Sequence, residues 1–118
     1  MLRAQLAGLE AVEAGGDGRE IDATVREIIA SAGHAEHFGH GLGHGVGLEI
    51  HEAPTLSKRS TDTLQADTVV TVEPGVYLPG RFGIRIEDLV VVHKGGAGEA
   101  AGENRILTSL SKELQVVD

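Results

Sequence analysis

The chain has 118 residues, enough for one domain with a modest core, and with 41% hydrophobic but only 3% aromatic residues that core must be built from Val, Ile, Leu and Ala. A formal charge of −8 with no long Lys/Arg cluster argues against nucleic acid as a partner, and the lack of cysteine excludes a disulfide framework and any thiolate metal site. No apolar run approaches the ~20 residues of a membrane span and the N-terminus has no apolar signal segment, so a soluble, cytoplasmic protein is expected.

Leu2, Leu6, Leu9 and Val12 recur at helical spacing among Arg3, Gln5, Glu10 and Glu13, which predicts an amphipathic helix over Leu2–Ala14 ended by Gly15-Gly16. Asp17 and Glu20 resemble a capping box, in which the aspartate accepts a backbone N–H and the glutamate reaches back. The second helix carries Ile21, Val25, Ile28 and Ile29 on its buried side and stops near Gly33, giving a helical hairpin over about 2–33.

Glycine then takes every second position from Gly39 to Gly47, with His40 and His44 between them and His51 just beyond. Each glycine costs a helix about 1 kcal/mol against alanine, so this stretch is not helical. Read as extended chain, it puts His40, Leu42, His44, Val46, Leu48 and Ile50 on one face, and leaves the other as bare backbone open to close approach.

Val46–His51 reads as a strand closed by Pro54, and Thr68–Glu73 as a β-branched strand stopped by Pro74-Gly75. Tyr77-Leu78 leads into a Pro79-Gly80 turn, and Ile84–Val92 reads as a longer strand. The sheet thus spans about 38–92 and a tail 93–118, with Gly95–Asn104 a glycine-rich loop and no internal repeat. This order predicts an α+β fold with a mostly antiparallel sheet and its helices on one face.

Glu73 ends a strand that otherwise reads as buried, and Glu87 interrupts an apolar one beside Arg85. A carboxylate in such a place is paired or bound to a cation. Two bland readings stand beside this: Glu73 as an exposed acid flanking a turn, and Arg85–Glu87 as an ion pair on a solvated face. His34, His37 and His93 read as surface or loop residues. One imidazole with two carboxylates would form an N,O ligand set suited to Mn, Fe, Co or Zn.

Three blocks carry a resemblance: His40-Gly-Leu-Gly-His44-Gly-Val-Gly-Leu-Glu-Ile-His51-Glu, Val72-Glu73-Pro74-Gly75-Val76-Tyr77, and Arg85-Ile86-Glu87-Asp88. They resemble the pita-bread metallopeptidases, and among them the Xaa-Pro dipeptidases (prolidases) and Xaa-Pro aminopeptidases. The resemblance implies a creatinase/aminopeptidase-like fold, of which residues 1–118 would be one partial catalytic domain, its C-terminal part. It implies two adjacent ions (Mn, Co, Zn or Fe) held by two aspartates, one histidine and two glutamates. His44 would be the histidine ligand, Glu73 the terminal glutamate and candidate proton shuttle, and Glu87 the glutamate shared by both ions. His40 and His51 would contact substrate and stabilise the tetrahedral intermediate, Arg85 would orient the site or bind a carboxylate, and Tyr77 would stand on the pocket wall.

The family's aspartates come from a strand pair preceding the first helix, and Asp17, Asp22, Asp62 and Asp67 do not match them. The chain is therefore expected to be part of a longer enzyme, to hold one ion loosely or none by itself, to be inactive alone, and to self-associate as a homodimer. The implied substrate is a peptide, with proline beside the scissile bond. A metal-free binding or scaffold domain and a creatinase-like amidinohydrolase are the competing readings on the same fold.

Overall fold

Asp17 opens the longer of the two α-helices among the described residues by accepting hydrogen bonds at Oδ1 from the backbone N–H groups of Arg19 and Glu20, at 2.8 and 3.2 Å. The computed structural model describes residues 1–94 and 105–117. In it α1 runs Leu2–Ala11 and α2 Gly18–Ser31, and Gly33, at φ +83°, follows the end of α2. Ile21, Val25 and Ile29 are buried as the periodicity predicts. Helix α1 stops earlier than predicted, because Val12 is already extended.

The buried face of α1 also differs. It is Ala4, Gln5, Gly8 and Leu9, while Leu2 and Leu6 stay partly exposed. Close packing explains the change: a Cβ on Gly8 would stand 2.9 Å from Val72 Cγ1 and 3.0 Å from Val25 Cγ2, so small residues face inward.

The strands are β1 (Gly43–Gly45), β2 (Glu52–Leu56), β3 (Val69–Val72), β4 (Gly75–Leu78), β5 (Phe82–Arg85), β6 (Asp88–Val91) and β7 (Arg105–Ile106). Among the described residues they form one sheet of order β2-β1-β3-β6-β7 and a separate β4-β5 hairpin, and every pairing is antiparallel. The core lies between helices and larger sheet, where Leu9, Val12, Ile21, Val25 and Ile29 meet Leu42, Leu56, Val70, Val72, Val90 and Val92.

Two predicted strands are corrected. Residues 47–51 form bends, and the strand begins at Glu52 and runs through Pro54. Proline is tolerated because β2 is an edge strand and Ala53-Pro54 falls in the register shift opposite His44 and Gly45. Leu48 and Ile50 are consequently exposed, and Leu42 enters the core while His40 and His44 do not, so the single predicted face is not formed.

Ile84–Val92 is likewise two strands, not one. The chain leaves the larger sheet after Val72, makes the β4-β5 hairpin, and re-enters at Asp88, with the Ile86 N–H reaching back to the Pro74 carbonyl at 3.4 Å. Glu73-Pro74 and Ile86-Glu87 are thus the outgoing and returning halves of one crossing. Residues of Gly95–Asn104, predicted as a loop, lie outside the described residues.

Candidate active site

Alternation along β3 sets the site. Val70 and Val72 enter the core, so Thr71 and the following Glu73 project to the opposite side. There Thr71 Oγ1 donates to Glu73 Oε1 at 2.9 Å and accepts from the His44 N–H at 3.1 Å. Strand β1 lies close enough for this only because residue 43 is glycine: a Cβ there would stand 1.9 Å from the Thr71 carbonyl oxygen. The bare backbone inferred from the glycine repeat therefore admits a neighbouring strand.

His44 Nδ1 lies 2.9 Å from the Gly45 carbonyl, which can only accept, so Nδ1 carries the proton. Nε2 then turns its remaining site toward Glu73 Oε1, 3.0 Å away. A lone pair facing a carboxylate oxygen requires a proton between them, on the ring or on the carboxyl, or a bound cation. The donor set fits a divalent ion: a neutral imidazole nitrogen with its tautomer fixed from behind, and a carboxylate oriented by a hydroxyl.

A cavity of about 260 Å³ opens on this pair and is lined by His40, His44, His51, Glu73 and Arg85 with glycine backbone between them. The His51 ring centroid is 4.4 Å from that of His44. His40 donates from Nδ1 to the Gly41 carbonyl at 2.7 Å, and its Nε2 accepts from the Tyr77 hydroxyl at 2.9 Å. The Arg85 guanidinium has its pKa raised above the ordinary value, first by the Tyr77 side chain and then by the attraction of Glu73 and Glu87.

Five of the sequence-derived residues thus meet at one cavity, and Glu87 stands outside it. The half-exposed Arg85 lies between the two glutamates, its Nε 3.9 Å from Glu73 Oε2 and 3.8 Å from Glu87 Oε2. Among the described residues no group of three or more His, Cys, Asp or Glu side chains is placed to hold a metal ion. The aspartates have other work. Asp17 caps α2, Asp22 binds Arg26, Asp88 binds Lys112, and Asp62 accepts from the Thr55 N–H and hydroxyl, which hold its carboxyl below the usual range. His34 and His37 face each other, Nδ1 to Nδ1, at 3.2 Å.

Thr71 was not singled out from the sequence. Its signal was present but ambiguous: a threonine two residues before a strand-ending glutamate reads equally as a strand former.

A family model described as metallopeptidase family M24 matches residues 1–94. The chain is 45% identical over 114 residues to the Xaa-Pro dipeptidase of Pyrococcus furiosus, covering 97% of this chain and 31% of that protein. It is 44% identical to an uncharacterised peptidase of Bacillus subtilis, over 97% of this chain and 30% of that one. Among solved structures, the X-Pro aminopeptidase from Thermotoga maritima matches with a TM-score of 0.87 and 46% identity, over 98% of this chain and 31% of that one. The chain thus spans about 30% of the length of the curated relatives it matches.

Proposed function

The chain belongs to metallopeptidase family M24 and has the C-terminal part of a pita-bread fold, and on that footing we propose that it supplies one wall of the active site of a metal-dependent exopeptidase. The bond hydrolysed is the one next to proline in a short peptide. One observation carries the reading: the facing Nε2 of His44 and Oε1 of Glu73 at the mouth of a cavity that His40, His51 and Arg85 also line.

In this proposal His44 and Glu73 hold a divalent ion (Mn, Co, Zn or Fe), and Glu87 joins them once Arg85 yields its place between the two glutamates. Such an ion, when bound, polarises a carbonyl and makes water a nucleophile near neutral pH. Glu73 takes and returns the proton. His51 hydrogen-bonds the substrate at its reacting carbonyl, and His40 contacts the substrate through Nε2, which accepts a substrate N–H in exchange for the Tyr77 hydroxyl. Arg85 pairs with a substrate carboxylate or orients Glu73.

Two further aspartate ligands and a second ion are part of the same reading. The reading takes those aspartates from outside the 118 residues, and among the described residues no aspartate joins His44 and Glu73 in a group placed to hold a metal. The chain alone is then inactive, and activity belongs to the larger catalytic unit. A cytoplasmic setting and a homodimer complete the proposal. No described helix is long and apolar enough to cross a membrane.

A chimera tests it. This chain replaces the matching 114 residues of the Pyrococcus furiosus dipeptidase, and the product is assayed on Xaa-Pro dipeptides and on creatine. Metal-dependent dipeptide hydrolysis that is lost on His44→Ala supports the proposal. A folded but inactive chimera favours the scaffold reading, and turnover of creatine alone favours the amidinohydrolase.

A further inference from the structure

His40 sits in backbone that no ladder holds. Residues 38–42 lie outside every helix and strand, and Gly39 and Gly41 flank the histidine on both sides. Yet His40 presents one defined ring edge to the cavity, with Nδ1 on Gly41 and Nε2 on Tyr77. Something other than regular structure fixes it.

Arg26 of α2 reaches this segment with its whole guanidinium. Nη1 donates to the Phe38 carbonyl and Nη2 to the His40 carbonyl, both at 2.8 Å. Nε and Nη2 grip the two carboxylate oxygens of Asp22, one turn earlier, at 2.9 Å each. Asp22, fully buried, also accepts the Leu42 N–H at 3.0 Å. The guanidinium carbon lies 4.1 Å from the centre of the Phe38 ring, and that ring meets His40 edge-on with centroids 5.2 Å apart. One ion pair therefore holds the segment from both ends, joined at Leu42 by the Glu73 N–H, which donates to the Leu42 carbonyl at 2.8 Å, and it meets the His40 ring through Phe38.

A buried ion pair is a poor stabiliser, because its desolvation offsets most of its attraction. A planar fork spanning a carboxylate and two carbonyls does what a lysine or an apolar pair cannot: it sets a backbone path. We infer that Asp22 and Arg26 are positioning residues of the active site, which act through the Phe38–Leu42 segment to hold His40 as its Nδ1–H tautomer with Nε2 directed at Tyr77. The inference rests on the proposed function in taking His40 as a residue of the active site. It requires neither bound metal nor turnover.

Imidazole ¹H–¹⁵N spectra of the 118-residue chain, compared with Arg26→Lys and Asp22→Asn, give the test. The native chain is expected to show His40 as a single Nδ1–H tautomer. Both variants are expected to lose that signature to a mixture of tautomers, while His93 and the His34–His37 pair keep theirs. A His40 that retains its tautomer in both variants overturns the inference. So does a common change of all six histidines, or a variant that no longer folds, since either assigns the pair to general stability. A failure of metal binding or peptide hydrolysis would leave these spectra as they are, and so bears on the proposed function alone.

Discussion

The imidazole of His44 and the carboxylate of Glu73 meet at 3.0 Å across neighbouring strands, and Thr71 touches both residues. Its hydroxyl takes the His44 N–H and gives its own proton to the same Glu73 oxygen that faces the ring. Thr71→Val keeps the shape and the strand preference but removes that link. We expect it to weaken divalent-metal affinity of the chimera by about 10–100-fold. Calorimetric titration measures this, and affinity unchanged from the native chimera would show the hydroxyl to be incidental.

Gly43 sets the distance between the two strands. A methyl group there collides with the Thr71 carbonyl, which is backbone and cannot step aside. We expect Gly43→Ala to destabilise the chain by about 1–3 kcal/mol. A denaturant midpoint equal to that of the native chain contradicts the packing described.

Asp88 ties β6 to the C-terminal tail and to α1. Burial raises its pKa, but hydrogen bonds from Lys112, Thr108 and Gln5 outweigh burial and hold the carboxyl below its ordinary value. A depressed folded pKa means that the unfolded chain binds the proton more readily, so this contribution is whole above about pH 4 and is lost as pH falls through the folded value. Asp88→Asn should cost about 1.5–3 kcal/mol at pH 7 and flatten the acid limb of the stability profile. Denaturant unfolding from pH 2 to pH 7 reads both effects, and an undiminished acid limb would show that other groups carry it.

Apolar side chains crowd several exposed places: Leu48 and Ile50 in the bends before β2, Phe82 and Ile84 on the small hairpin, and Leu114, Val116 and Val117 in the tail. A surface of this kind favours association. We expect the isolated chain to be dimeric at micromolar concentration. Light scattering measures the mass, and a monomer would count against the proposed self-association.

The helices were legible because the spacing of Ile21, Val25 and Ile29 and the cap at Asp17 are local signals. The glycine repeat, too, spoke correctly of close backbone approach. What the sequence hid was long-range. An unbroken apolar run from Ile84 to Val92 conceals the point where the chain changes sheets, since a strand pattern does not say which partner it pairs with. The proline in β2 misled for the same reason, as only the sheet order shows that strand to be an edge. Motifs brought out the five candidate residues that meet at the cavity, but the place of Glu87 outside it, beside Arg85, and the grip of Asp22 and Arg26 on residues 38–42 span distances that no periodicity encodes.

Paramagnetic broadening by Mn²⁺ tests the pairing of His44 with Glu73 most directly, because it detects even loose binding by the 118-residue chain. Added Mn²⁺ should broaden the imidazole signals of His44 and its neighbour His51 before those of His34, His37 and His93, and Glu73→Gln should abolish that preference. Broadening that favours His34 and His37, that shows no preference, or that persists in Glu73→Gln contradicts a metal site on these two residues.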